Sequence, residues 1–311
     1  AISLKSSCIE DISIPTRLKS VKNLTEISNI GKVMVKDGVA LTRFFHWFES
    51  SHGSLTMTED SLSEKVNEMR AQQEGFLKPS FETIVAFNEN SALPHYHAGQ
   101  GSGSLIGDRG ILLVDSGGQY YGGTTDITRT LAVGIPSAQQ IKDFTLVLKG
   151  HINLALSKFP EGTRGYQLDL VARRAMWGSG LNFAHGTGHG IGYCLNAHEG
   201  PQSISPADNK TAIEEGMLTS NEPAIYREGE YGIRIENLIL CYCDEETEFG
   251  RFLRFETVSW CYIDKLLIDK SLLDRHEIDW LNAYHAEVYD KLNPYLSDTE
   301  RIWLKEKTEA I

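Results

Sequence analysis

The chain is short of cysteine, of basic residues and of long apolar runs, and each shortage excludes something. Its five cysteines, Cys8, Cys194, Cys241, Cys243 and Cys261, are odd in number, and only Cys241-Tyr-Cys243 is closely spaced. So sparse a set argues against a disulfide framework or a thiolate zinc cage, and fits reduced thiols in a reducing compartment. No apolar run approaches the roughly 20 residues needed to span a bilayer, and the chain does not open on a basic-then-apolar leader pattern. A soluble, cytoplasmic protein without a membrane partner is therefore expected. Lys and Arg number 30 against 42 Asp and Glu, a formal net charge of −12. Because phosphate binding rests on Lys and Arg, this balance works against nucleic acid as a partner. It suits a ligand with a cationic end.

What is present reads as one sizeable α+β domain. With 311 residues, 41% hydrophobic and 9% aromatic, the chain can bury a large core. Apolar residues recur at helical spacing from Leu24 through Ile27, Ile30, Val33 and Met34 to Phe44, Phe45 and Phe48, which predicts a long helix over 22–50. Capping residues and acids before Val66 predict a second helix at about 60–74, and further helices are predicted at about 137–157 and 166–177. Extended segments then alternate with glycine-rich loops, giving a curved antiparallel sheet covered by helices. From about residue 259 the chain turns helical again.

Five polar residues stand where local structure has little use for them. Asp115 ends the buried-looking strand GILLVD (110–115), and Asp126 opens a second extended segment after a glycine-rich connection, so the two can pair as a hairpin. Glu222 and Glu236 are 14 residues apart, with Gly229 midway between them. A symmetric hairpin would set them opposite one another with Cβ atoms about 4.5–5.5 Å apart. Two carboxylates that close repel unless a cation lies between them. His189 sits in HGTGHGIG (185–192), where four glycines let the backbone pass close to other groups. Singly, each residue has an ordinary alternative: a turn or cap for the aspartates, a solvated strand position for the glutamates, a hydrogen-bonded loop for the histidine. Together they make a ligand set for two divalent ions. Four carboxylates and one imidazole suit Mn²⁺ best, with Zn²⁺, Co²⁺ and Fe²⁺ as alternatives.

The segments VDSGGQYYGGTTDITRT (114–130), HGTGHGIGYCLNAHEGP (185–201), NEPAIY (221–226) and GIRIEN (232–237) resemble the signature blocks of the pita-bread metallopeptidases. The 14-residue glutamate spacing, with His198 nine residues after His189, is most similar to the aminopeptidase P members. The resemblance runs from about residue 17 to the C-terminus. It implies the α+β pita-bread fold, two divalent metal ions held by Asp115, Asp126, His189, Glu222 and Glu236, and hydrolysis of peptides with proline in second position. A metal pair would lower the pKa of a bridging water and polarise the scissile carbonyl. Glu222 is the implied general base and later acid. His95, His185 and His198 match the family's three accessory histidines, which would stabilise the oxyanion or donate to the proline nitrogen, with His97 as an alternative to His95. Arg234 would hold a ligand carboxylate by a charge-assisted pair.

The resemblance also implies an organisation. Residues 1–16 form a lead-in, 17–258 the catalytic domain and 259–311 a C-terminal helical extension that either contributes to a homodimer or packs only on its own domain. Domains that usually precede the catalytic one are absent here, so the chain reads as a catalytic fragment. The other readings are a prolidase acting on Xaa-Pro dipeptides and a pita-bread binding module without catalysis.

Overall fold

A computed structural model describes residues 11–94, 96, 101 and 103–311. His95 and His97, both expected near the site, lie outside the described residues, as does Cys8.

The helices begin where local chemistry starts them. After the short helix α1 (Ile14–Ser20), Asn23 accepts from the backbone N–H groups of Thr25 and Glu26 while the Glu26 carboxylate reaches back to the Asn23 N–H, and α2 runs over Leu24–Ser51. This reciprocal cap satisfies donors that a helix start leaves unpaired. Thr58 with Ser61 opens α3 (Glu59–Ala71), and Ser137 with Gln140 opens α4 (Ala138–Ala155). The fourth predicted helix is α5 (Gly165–Trp177). The α3 helix stops short of the expected residue 74, because Gln72 caps it and Gly75, at φ +82°, turns the chain toward the strand Phe76–Pro79. In the C-terminal region, α6 (Arg275–Leu292) and α7 (Asp298–Lys307) are capped by Asp274 with Glu277 and by Ser297 with Glu300.

The strands form antiparallel pairs throughout. In one sheet Gly110–Ser116 lies between Ile84–Phe87 and Ile127–Val133, with Asp115 opposite Thr128. In another, Asn237–Thr247 pairs with both Leu218–Asn221 and Gly250–Thr257, and Lys158–Pro160 closes the far edge. Ala224–Arg227 and Tyr231–Arg234 form a tight hairpin, folded about Gly229 at φ +72°. The connection after Asp115 is not a plain loop: Gly118–Tyr120 and Gly123–Thr124 join Phe76–Pro79 in a small sheet of their own.

The α2 helix divides its apolar face between two cores. Ile30, Met34 and Val39 pack in the larger one with α4, α6 and the glutamate-bearing strands. Leu41, Phe44, Phe45 and Phe48 pack in the second with Val85, Leu112, Val114 and Ile127. A long helix that lines both cores fixes the two strand systems relative to each other. No helix among the described residues is long and apolar enough to cross a membrane.

Candidate metal centre

The pairing of Ala224 with Arg234 and of Asn221 with Asn237 puts Glu222 opposite Glu236, between two ladders. Both flanking registers therefore fix the pair from outside. Asp126 and Thr128 share one face of their strand by the two-residue period, as do Arg234 and Glu236. Glu236 N–H donates to the Thr128 carbonyl at 3.1 Å, which stitches the aspartate hairpin to the glutamate hairpin. The His189 loop is wedged against the glutamate strand. A Cβ on Gly188 would sit 1.9 Å from the Ser220 carbonyl oxygen, so only glycine permits this approach.

All five expected ligands meet at one cavity of about 730 Å³. His189 Nε2 is 3.4 Å from Glu222 Oε1 and 3.6 Å from Asp126 Oδ2. His189 Nδ1 lies 3.1 Å from the Gly190 carbonyl, to which it must donate, so Nε2 presents a lone pair to the carboxylates. Ligand atoms of Asp115, Asp126 and Glu236 lie within 4.8 Å of one another, and so do those of His189, Glu222 and Glu236. Glu236 belongs to both groups. A third such group joins Asp126, His189 and His198.

The electrostatics call for cations. Burial, and then the charges of Asp115 and Glu222, push Asp126 well above the usual carboxylate range. Burial, reinforced by Asp126, Glu222 and Asp115, does the same to Glu236. Glu222 is pushed up to about 8, chiefly by burial, with Arg234 opposing and Asp115 adding to the rise. His189 is pushed down to about 3 by burial and then by His198, so it stays neutral and able to ligate. Asp115 Oδ1 is buried without a hydrogen-bond partner, a costly state that a metal ion would relieve. The oxygen-rich donors present thus fit a pair of hard divalent ions.

Arg234 organises the surroundings. Its Nη2 donates to Asp115 Oδ2 at 2.5 Å, its Nε to Thr128 Oγ1 at 3.1 Å and its Nη1 to the Tyr226 hydroxyl at 2.7 Å. Thr128 passes the bond on to Glu236 Oε2 at 2.7 Å. His185 Nδ1 donates to the Gly186 carbonyl at 2.7 Å, so its Nε2 accepts from Tyr226 at 2.9 Å. His198, exposed at the cavity wall, lies with its ring 4.0 Å from that of His189. The expected site residues that fall within the described part of the chain are therefore together. Tyr226, Thr128 and Ser220, whose hydroxyl lies 3.3 Å from Glu222 Oε1, were not foreseen. For Thr128 the two-residue period from Asp126 was the available signal; Tyr226 stood in the NEPAIY block without an assigned role.

Residues 28–242 match metallopeptidase family M24, and residues 251–311 match the C-terminal region of peptidase M24. The chain belongs to metallopeptidase family M24. Its mixed helix and antiparallel-sheet architecture is the pita-bread fold of that family. It is 43% identical over 300 residues to Aminopeptidase P2 of Arabidopsis thaliana, covering 94% of this chain and 42% of that protein. To the probable Xaa-Pro aminopeptidase P of Laccaria bicolor it is 42% identical, covering 94% of this chain and 47% of the relative. The chain thus spans about half the length of the curated relatives it matches. Among solved structures, the X-prolyl aminopeptidase of Caenorhabditis elegans, described as a cytosolic enzyme with a di-nuclear active site, superposes with a TM-score of 0.91 at 38% identity, covering 96% of this chain and 50% of that one. The prolidase of Pyrococcus furiosus superposes with a TM-score of 0.65 at 29% identity, covering 79% of this chain and 67% of that one.

Proposed function

We propose that the chain is the catalytic part of a dinuclear metallo-aminopeptidase that removes the first residue from peptides with proline in second position. The observation that carries this is the pair of ligand groups sharing Glu236 inside one cavity. The likeness to aminopeptidase P relatives and to one X-prolyl aminopeptidase structure over nearly the whole chain favours the aminopeptidase over the dipeptidase.

Asp115, Asp126, His189, Glu222 and Glu236 would hold the two ions, with Mn²⁺ as the preferred metal for so oxygen-rich a shell. When bound, the ions supply an acidified water and Lewis-acid polarisation of the scissile carbonyl. Glu222 would take the proton of the attacking water and deliver it to the leaving proline nitrogen, its carboxylate lining the cavity beside the other candidate ligands. His198 and the His185 and Tyr226 pair line the same cavity, where His198, and Tyr226 once its proton is released from His185, would be the donors to the developing oxyanion or the leaving nitrogen. His95 is assigned with them from its motif. Arg234 fixes Asp115, and through Thr128 it fixes Glu236.

Residues 17–258 are proposed as the catalytic unit and 259–311 as its extension, in a cytoplasmic protein whose partner is a peptide and, through the extension, a second copy of the chain. Sedimentation tests the dimer. For the activity, the chain loaded with Mn²⁺ is given an Arg-Pro-Pro peptide and an Xaa-Pro dipeptide. Release of arginine from the longer peptide supports the reading. Preference for the dipeptide would convert it to prolidase, and no turnover by folded protein with any divalent metal would sink it.

A further inference from the structure

Helix α6 belongs to the C-terminal region, yet its side chains end on the strands that carry the two glutamates. The buried Tyr284 hydroxyl accepts from Arg129 Nη2 at 2.9 Å and lies 2.9 Å from the Cys261 carbonyl, 3.0 Å from that of Ser259 and 3.3 Å from Asn237 Oδ1. Arg129, itself buried, donates through Nη1 to the Glu236 carbonyl at 2.7 Å and the Thr128 carbonyl at 2.9 Å. Its Nη2 also donates to Asn237 Oδ1 at 2.8 Å. One guanidinium thus joins the aspartate hairpin, the glutamate hairpin and α6.

A second route runs beside the first. Trp280 stacks on Tyr284 with ring centroids 5.2 Å apart and planes 5° from parallel, and meets the His151 ring edge at 5.9 Å. His151, buried on α4, donates from Nδ1 to the Asn221 carbonyl at 3.1 Å, so its Nε2 accepts from Asn237 Nδ2 at 3.1 Å. Asn221 returns a bond from Nδ2 to the His151 carbonyl at 2.9 Å. Asn221 and Asn237 are opposed across the ladder, one just before Glu222 and the other just after Glu236. Both routes from α6 therefore end on the residues next to the facing glutamates.

We infer that Tyr284 and Trp280 are positioning residues for Glu222 and Glu236, so that the C-terminal region completes the metal centre. Metal uptake needs both opposed glutamates as carboxylates at one place, so a site ready for metal needs a backbone stiff enough to hold them close. Buried polar networks supply such stiffness through their satisfied members, and here every N–H of Arg129 and both ring nitrogens of His151 are paired, while Asn221 Oδ1 is buried without a partner. Without the Tyr284 hydroxyl, Arg129 Nη2 keeps Asn237 Oδ1 and the Cys261 carbonyl as acceptors at 2.8 Å each, but the guanidinium loses its tie to α6 and the buried Ser259 carbonyl loses its donor, so the Glu236 backbone that Arg129 holds is less firmly fixed.

This inference rests on the two-metal reading above, and the experiment separates the two. Apo protein is titrated with Mn²⁺ by calorimetry, as the wild-type chain, as Tyr284→Phe and as Leu304→Ala; the last hollows the packing of α7, away from the ligands. The expected result is two sites in the wild type, a loss of about tenfold or more in the affinity of at least one site in Tyr284→Phe, and affinities within twofold of wild type in Leu304→Ala despite its lower melting temperature. Folded Tyr284→Phe that binds both ions as tightly as wild type overturns the inference and leaves the function standing. Should Tyr284→Phe not fold, Trp280→Leu takes its place under the same criterion. A wild-type chain without two sites removes the two-metal reading and this inference with it.

Discussion

Arg234 donates to Asp115 Oδ2 at 2.5 Å although the two residues are 119 positions apart and belong to different hairpins. The same guanidinium reaches Glu236 through Thr128 and His185 through Tyr226, so one cation aligns a carboxylate from each half of the site. Arg234→Lys keeps the charge but loses the fork that contacts three partners at once. Mn²⁺ affinity should fall about 10–100-fold, read by metal titration of folded protein; an unchanged affinity would show that Arg234 does not orient the ligands.

Metal should stabilise the protein more as pH rises. Glu222 in the folded metal-free protein stands near 8, above the unfolded value of about 4.3. Between those values the folded state holds a proton that the unfolded state has lost, so metal-free stability falls as pH rises and levels off above about 8. Bound metal replaces that proton and abolishes the slope. Melting curves with and without Mn²⁺ from pH 5.5 to 8.5 should diverge steadily, and parallel curves would contradict the assignment.

Glu222→Gln keeps the shape of the side chain and removes its base. Turnover of an Arg-Pro-Pro peptide should fall by about 10²–10⁴-fold, while native mass spectrometry still detects two bound ions. Retention of activity would move the proton transfer to another residue.

Gly188→Ala places a methyl 1.9 Å from the Ser220 carbonyl oxygen, in backbone that cannot swing aside as a flexible side chain could. A loss of about 1–3 kcal/mol in urea unfolding is expected, together with weaker metal binding, because the displaced loop carries His189.

Behind Asp126, Asp37 accepts from buried Arg70 at 2.7 and 3.0 Å and from Tyr120 at 2.8 Å. Asp37→Ala strands a guanidinium with no access to water. Denaturant titration should show a loss of about 3–5 kcal/mol.

Much of this was legible in the amino-acid order because the signals are local. Asn23 with Glu26 and Ser137 with Gln140 mark helix starts within four residues, and the starts fall where those side chains reach the backbone. The midpoint at Gly229 located the glutamate hairpin, since a two-residue strand period and a single turn fix which residues face each other. Other patterns misled in detail. Leu24 fits the apolar period of α2 yet is 85% exposed, because helix periodicity continues past the point where neighbouring elements cover it.

The sequence by itself determined which groups could bind metal. The five candidate ligands, the glycines that let their loops pass and the acids that cannot stand together uncompensated are properties of residue type and near spacing. Only the tertiary structure decided what holds those groups in place. Arg234 meeting Asp115, Arg129 joining both hairpins, and Tyr284 entering from α6 are contacts between residues scores of positions apart. No periodicity encodes such meetings: an arginine on a strand looks the same in sequence whether it faces solvent or a buried carboxylate, and only the packing of α2, α4 and α6 around the sheets settles which.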